Sequence, residues 1–490
     1  MLSTKLMGAT VSGAPSLDGW YVYDATNENY DYWATSAYTQ NPVSAYHSTW
    51  LFRRQSYGQV YYTVRESDGV VMSAKNHYDS QQYSYMWSVG TYYSSLIGYT
   101  IGNPTSRSRE YMYISDYNGA YIYKYSPASY IDDAYQYYPL SSTHSNSNNS
   151  YWIMRGCTTS SYNTGRILFR PYSRYISTQT NLPTLQEAHG GGYCRIGDVF
   201  YQQTMGRTFY AVTRGANSYL STFNCYYNSD DWISSGTQPN PTQLVGAYSY
   251  PIPRIYAHYE GSTASVYVCS SQHYSKRVNI TKYSGTFATA TTKSADYCKR
   301  IQWTEDWDWI STYPPIHGVQ VDDNGNGIMV FPVLNGTYNK RGYAVIGFSS
   351  VDGSPAFGYV ISVRATNYDL GTDLGAMNVS GTDRYKSIPR QGVSADKEFY
   401  YLNVVKRFSS NYQPFLAKLP LSNALDSGTY NNTVVIDSLT VSSGGNESTS
   451  TPTAVTNKYT GTSAMPSYAY DTNSVNYTQT AYYNSDLPGA

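Results

Sequence analysis

A repeated pair of strands limits what this chain can fold into more than any other feature. A strand of aromatic and apolar residues, a turn rich in Gly, Asn, Asp or Ser, and a second strand recur seven times. That order marks a β-hairpin. The first copy runs from Gln59–Val64 through Asp68-Gly69 to Val70–Lys75, and the second from Tyr111–Ser115 through Asn118-Gly119 to Ala120–Tyr125. The next three pair Tyr151–Met154 with Arg166–Arg170, Thr208–Val212 with Tyr219–Phe223, and Ser265–Cys269 with Val278–Tyr283. The last two pair Tyr343–Phe348 with Phe357–Val363, through Asp352-Gly353, and Glu398–Val405 with Pro414–Leu419. The turns lie about 57 residues apart on average. An Ile-Pro-Arg triplet precedes two of the copies, at Ile252–Arg254 and Ile388–Arg390.

The stretch from Gly318 to Val363 displays one whole unit: strands at Gly318–Val321, Ile328–Val333, Tyr343–Phe348 and Phe357–Val363, joined by Gly- or Asn-containing turns. Four antiparallel strands per repeat of this length are the habit of a propeller blade. The expected fold is therefore all-β, a seven-bladed β-propeller with an extended C-terminal tail; the alternative is a tandem of β-sandwiches. Residues 1–18 form an N-terminal arm, 19–441 the repeat domain and 442–490 the tail. Trp20–Tyr23 and Thr433–Val441 are the candidates for the strands that close the ring. No segment of useful length has helical periodicity.

Composition narrows the class of function. The chain of 490 residues carries 59 Tyr, an aromatic share of 16% and only 13% charged residues, against about 25% in ordinary globular chains. Tyrosine suits pleated, half-buried strands and gives contact area at low entropy cost, which points to a surface that touches other molecules. Lys+Arg 33 balances Asp+Glu 33 with no run of like charge, so nucleic acid is not an expected partner. Zero net charge gives little protection against self-association, as in a protein that lives in an assembly. Met1–Ser16 lacks the apolar core of an export signal, and no stretch approaches 18 apolar residues, so neither secretion nor membrane insertion is expected. Cys157, Cys194, Cys225, Cys269 and Cys298 are odd in number and widely spaced, and read as free thiols in or beside strands.

Few segments carry candidate chemistry. Trp303-Thr304-Glu305-Asp306-Trp307-Asp308-Trp309 mixes carboxylates with indoles, the composition of a sugar site. Trp303, Trp307, Trp309 and Asp308 are its candidate glycan contacts, and Glu305 with Asp308 the pair a hydrolase would use. The same cluster also reads as a packed aromatic anchor. Asp322, Asn324 and Asn326 match the opening of a calcium loop, but Val333 stands where a bidentate Glu belongs, so the segment reads better as a turn between Val321 and Ile328. The seven histidines lack metal-ligand spacing. Sequons such as Asn279-Ile280-Thr281, Asn335-Gly336-Thr337 and Asn378-Val379-Ser380 are expected by chance in a chain rich in Asn, Ser and Thr. In the tail, Tyr468, Tyr470, Tyr482 and Tyr483 are candidate partner contacts, adding as strands or anchors to a neighbour. No catalytic residue and no cofactor is expected.

The Tyr-rich hairpins, the strand pair across Phe399–Leu419, the Gly/Ser/Thr-rich tail and the missing leader together resemble the virion structural proteins of tailed phages. The likeness is greatest to β-propeller tail, nozzle or fibre-associated components and spans residues 19 to 441. It implies a non-enzymatic, multi-copy subunit located in the virion. Such a subunit would bind other virion proteins through loops and strand edges and would present a face to host surface glycan. A glycan-binding adhesin and a polysaccharide depolymerase are the competing expectations.

Overall fold

In a computed structural model of the chain, every regular element among the described residues is a strand. Described are the backbones of strands from Trp20 to Asp471. Side chains are described within 254–258, 263–270, 276–285, 295–308, 318–337, 342–362, 400, 419–428 and 435–446.

Among the described residues the strands fall into seven antiparallel sheets, each built mainly from strands that follow one another in the sequence. A short strand, β1 (Trp20–Tyr21), comes first. The first sheet is β2 (Tyr30–Tyr38), β3 (Ser48–Arg54), β4 (Gly58–Val64) and β5 (Val71–Tyr78). The second contains β6 (Tyr85–Tyr92), β7 (Leu96–Gly102), β8 (Tyr111–Asp116) and β9 (Ile122–Ser126); the third is β10 (Ile131–Pro139), β11 (Ser150–Cys157), β12 (Gly165–Tyr172) and β13 (Thr184–Glu187). In the fourth, β14 (Cys194–Gln202) and β15 (Arg207–Arg214) lead to β16 (Asn217–Asn228), which pairs with both β17 (Asp231–Ser234) and β18 (Thr242–Tyr248). The fifth contains β19 (Arg254–Glu260), β20 (Thr263–Ser271), β21 (Arg277–Gly285) and β22 (Tyr297–Trp303). In the sixth, β23 (Trp307–Trp309) and β24 (Gly318–Val321) both pair with β25 (Asn326–Asn335), followed by β26 (Lys340–Ser349) and β27 (Pro355–Val363). The seventh is the hairpin of β28 (Phe399–Phe408) and β29 (Asn411–Pro420).

All seven hairpins read from the sequence are present, as β4–β5, β8–β9, β11–β12, β15–β16, β20–β21, β26–β27 and β28–β29. Apart from β17 and β18, which share β16, and β23 and β24, which share β25, the strands pair consecutively, which is the meander of a β-propeller and not the crossed strand order of a sandwich. The sheets also touch in order. The chain of contacts runs β28 to β2, β2 to β6, β6 to β10, β10 to β14, β14 to β19 and β19 to β24. From β24 it returns to the seventh sheet, where Gly318 leaves room for the Tyr400 ring of β28.

The strands that follow β29 depart from expectation. Of the two closing candidates, Trp20–Tyr21 does join the last hairpin, with Trp20 opposite Ala417 and Tyr21 opposite Leu416. The segment Thr433–Val441 does not: β30 (Gly428–Tyr430) and β31 (Val434–Ser438) extend the sixth sheet beyond β27. The tail is also partly built into the sheets. β32 (Val441–Asn446) lies along β22, and β33 (Ala469–Asp471) along β9, so both occupy sheet edges of the same chain.

Burial in the fifth and sixth sheets explains why so much of the sequence lacks a polar face. Strands β24 and β25 are buried almost throughout and β21 mostly so, whereas β22 mixes buried with half-buried and exposed residues and β32 is mainly exposed. The inner strands are covered on both faces by neighbouring sheets, and only the outer edge meets water. One apolar core joins these two sheets, with Val266, Ile280, Ile301, Met329, Phe331, Val333, Ile346 and Val360 inside it. Burying each such side chain stabilises by about 1.5–3 kcal/mol.

The tyrosines follow the same rule. All seven whose side chains are described, Tyr256, Tyr267, Tyr283, Tyr297, Tyr343, Tyr359 and Tyr400, are buried. In this part of the molecule tyrosine is packing material, not the contact surface that composition suggests. Its ring fills the space between sheets, as where Tyr267 meets Phe348 with centroids 6.2 Å apart. Its hydroxyl adds a polar tie: Tyr297 Oη donates to the Ser350 carbonyl, 3.2 Å away. Burial pushes the Tyr297 and Tyr343 phenols above their ordinary range, so both stay neutral donors.

Candidate functional site

The tryptophan-carboxylate cluster lies where the chain leaves the fifth sheet and enters the sixth. Trp303 ends β22 and Trp307 opens β23, and both rings are buried, at 3% and 4% exposure. The Trp303 ring packs on Phe331, centroids 5.5 Å apart, and its Nε1–H donates to the Trp307 carbonyl at 2.6 Å. A sugar stacks on an exposed ring face, and neither ring offers one. Trp303 and Trp307 are anchors in the core, not glycan contacts. Asp308 is exposed and sits opposite Leu334, and Trp309 pairs with Val333 through its backbone. The side chain of Trp309 lies outside the described residues.

The carboxylates between the two tryptophans fasten the turn to distant strands. Glu305 Oε1 accepts from the Thr440 backbone N–H at 2.7 Å, and Oε2 from that of Thr304 at 3.2 Å. Asp306 Oδ2 accepts from the backbone N–H and the hydroxyl of Thr337, and Lys276 Nζ stands 3.6 Å from Oδ1. Partial burial pushes the Glu305 carboxyl up, but the bonds from Thr440 and the local backbone outweigh it and hold it below its ordinary value. The Thr337 hydroxyl, with Lys276 nearby, lowers Asp306 as well. A glycosidase acid needs a carboxyl held up, so that it carries its proton at neutral pH. Both groups are shifted the other way.

The 322–327 segment is a hairpin turn closed by its own first residue. Asp322 Oδ1 accepts the backbone N–H groups of Asn324 (2.9 Å) and Asn326 (2.7 Å), and Oδ2 accepts Asn326 Nδ2 (2.7 Å). Gly325 takes the left-handed conformation that the turn requires, φ +87°. Oxygens that would converge on a cation instead bind the turn's own donors, which fits the turn reading of Asp322, Asn324 and Asn326. Among the described residues no group of three or more His, Cys, Asp or Glu is placed to hold a metal.

One polar link between sheets had no signature in the sequence. His258 of β19, buried at 5% exposure and stacked beside Tyr256, places Nε2 3.4 Å from Oδ1 of the exposed Asp323 in that turn. Sixty-five positions separate the two residues, and nothing local connects them. A second link lies farther out, where Lys282 Nζ donates to the Ser350 carbonyl at 3.3 Å and lies over the Tyr267 ring.

The remaining candidates are scattered. Tyr470 is in β33, opposite Tyr125. Tyr468, Tyr482, Tyr483 and the sequon at Asn378 lie outside the described residues. Asn279 and Asn335, the other two sequon asparagines, are buried at 0% and 7% exposure and present no side chain for glycosylation. Cys269 and Cys298 are buried and outside any disulfide, as expected of thiols in strands. No helix among the described residues is long and apolar enough to cross a membrane.

No family model matches the chain, and no curated protein matches it. Solved structures with a similar course include one from a study of two prolyl endopeptidases, 8% identical with a TM-score of 0.41, matched over 80% of this chain. This chain spans about half, 51%, of that one's length. The β-propeller domain of Myceliophteria thermophila Cps50 (Swd1) is 6% identical, with a TM-score of 0.40, over 80% of this chain and 99% of that one. The Dos1 propeller is 11% identical, with a TM-score of 0.37, over 85% and 98%. At these scores the fold rests on the strand order described above, which is that of a β-propeller.

Proposed function

We propose that the chain is a non-enzymatic structural protein of a virus particle, tail- or fibre-associated, whose seven sheets are the blades of one closed ring. The observation that carries the reading is the use made of sheet edges: β1, β32 and β33, drawn from the two ends of the chain, complete sheets begun elsewhere. Strand addition of this kind is also how separate subunits are joined. A neutral, charge-poor composition supports the same setting, since it tolerates close contact with neighbours. The hydrogen-bonded turns at Glu305, Asp306 and Asp322 support a scaffold over a hydrolase.

Two measurements test this. Particles purified from a lysate that contains the chain are expected to hold it at a constant ratio to the major capsid protein, as read by quantitative mass spectrometry; its absence from particles overturns the virion assignment. Class averages of the purified protein by electron microscopy are expected to show a ring of seven wedges. Six or eight would overturn the blade count and leave the virion assignment standing.

A further inference from the structure

Three Asn-Gly pairs lie among the residues whose side chains are described: Asn324-Gly325, Asn326-Gly327 and Asn335-Gly336. Asparagine is a heat-labile residue, because the backbone nitrogen of the next residue can attack its side-chain carbon. Glycine in that next place leaves the nitrogen unshielded and the backbone free to turn. The three pairs are alike in sequence, and the fold separates them. Asn326 Nδ2 donates to Asp322 Oδ2 at 2.7 Å, and the nitrogen that would attack it belongs to Gly327, which is paired with Val321 on one side and Phe348 on the other. Asn335 is buried, and its backbone is likewise paired on both sides, with Trp307 and Lys340. A backbone held between two strands cannot swing its next nitrogen onto its own side chain. Asn324 is held by neither device. It is exposed in the β24–β25 turn, and its side-chain amide meets no partner among the described residues. The Gly325 N–H reaches the Asp322 carbonyl at 3.3 Å, longer than an ordinary bond of this kind. The turn also cannot exchange this glycine for a shielded residue, since its φ is +87° and a Cβ there would come within 3.0 Å of Ser350 Oγ.

We infer that Asn324 is a site of spontaneous deamidation, by attack of the Gly325 nitrogen on the Asn324 side-chain carbon. The bond from Gly325 N to Cγ forms, the Cγ–Nδ2 bond breaks, and the proton lost by Gly325 leaves with that nitrogen as ammonia. Water then opens the cyclic imide at either carbonyl: opening at Cγ gives aspartate, and opening at the main-chain carbon gives isoaspartate. Nothing is oxidised or reduced. Either product adds a third carboxylate directly after Asp322 and Asp323. Isoaspartate also lengthens the backbone inside the turn, between the N–H groups of residues 324 and 326 that Asp322 Oδ1 holds at 2.9 Å and 2.7 Å. The inference stands apart from the virion reading, since it needs only the folded chain and water.

The test uses the full chain, kept folded in mildly alkaline buffer, sampled over time, digested and read by mass spectrometry. Fragment ions assign the exchange of NH2 for OH to a single asparagine, and electron-transfer fragments distinguish isoaspartate from aspartate. Asn324 is expected to convert about tenfold faster than Asn326 or Asn335 in the folded chain. In guanidinium, where the strands are gone, the three are expected to convert within about threefold of one another. Equal rates in the folded chain, or conversion of Asn326 or Asn335 ahead of Asn324, overturn the site. A lead for Asn324 that persists undiminished in guanidinium overturns the structural account, because the preference then belongs to the local sequence. The isoaspartate form, separated by ion exchange, is expected to unfold at lower urea than Asn324→Asp, which adds the charge without lengthening the backbone. Identical curves would remove the loss of the Asp322 bonds from the account.

Discussion

Asp322 gives both carboxylate oxygens to the turn it begins, and that commitment predicts how the turn responds to change. Asp322→Ala leaves two backbone N–H groups and the Asn326 amide without their acceptor, at a cost of about 1–3 kcal/mol in urea unfolding. A chelator added to the unmodified protein is expected to leave the same unfolding curve in place; a shift of several degrees in melting would restore the calcium reading. The carboxylates at Glu305, Asp306 and Asp352 set the response to acid. Hydrogen bonding to Ser354 lowers Asp352, as bonds to Thr440 and Thr337 lower the other two. A carboxyl lowered by folding contributes stability above its unfolded pKa, and the contribution fades as pH falls through the folded value. Stability is therefore expected to decline below about pH 4, the ordinary carboxylate range. Glu305→Gln should show a shallower decline, and an unchanged pH profile would remove the Thr440 bond from the account. The buried thiols behave oppositely to reactive ones: burial raises Cys269 and Cys298, so neither should be labelled by a thiol reagent until the protein unfolds.

At the scale of single elements, packing turns on rings laid over cross-strand glycines. Gly327 of β25 is opposite Phe348 of β26, and a methyl group at Gly327 would overlap the Phe348 ring, itself 1% exposed. Gly327→Ala is expected to cost about 1–3 kcal/mol, and Phe348→Leu in the same chain to recover part of it. Additive losses would show that the ring is not the obstacle. The hairpins were legible because each has apolar residues running into a turn that contains Gly, Asn, Asp or Ser. Their spacing was irregular for a reason visible only in the sheets: the legible hairpin is the third and fourth strand of the first two meanders, but the second and third of the next three. First strands such as β10 (IDDAYQYYP) and β14 (CRIGDVFYQ) mix polar with apolar residues and carry no clear period. The site was less legible than the frame. Adjacent Trp and acid residues suggest a sugar site in one dimension, but the strand ends at Trp303 and Trp307 turn both rings inward. The apolar run Val434–Ile436 within the Thr433–Val441 candidate marked a strand without identifying its partner, because an apolar run says nothing about which edge is free.

For the molecule as a whole, the strand with the greatest leverage is also among the shortest. Without Trp20–Tyr21 the seventh sheet is a two-stranded hairpin, β28 with β29, and an isolated hairpin is marginal in water. That hairpin also sits between the first and sixth sheets, touching β2 on one side and receiving Gly318 against Tyr400 on the other. Loosening it would expose the flanks of both. The tail strands are different, since β32 and β33 add to the outside of sheets that already have four strands each. Removal of residues 1–22 is therefore expected to lower the urea midpoint and to make 399–420 the first region cut in limited proteolysis. Removal of residues 447–490 should leave both unchanged. If the two truncations were equally tolerated, the closing role of β1 would fail, because a ring held shut by its first strand cannot lose that strand and its last 44 residues at the same cost.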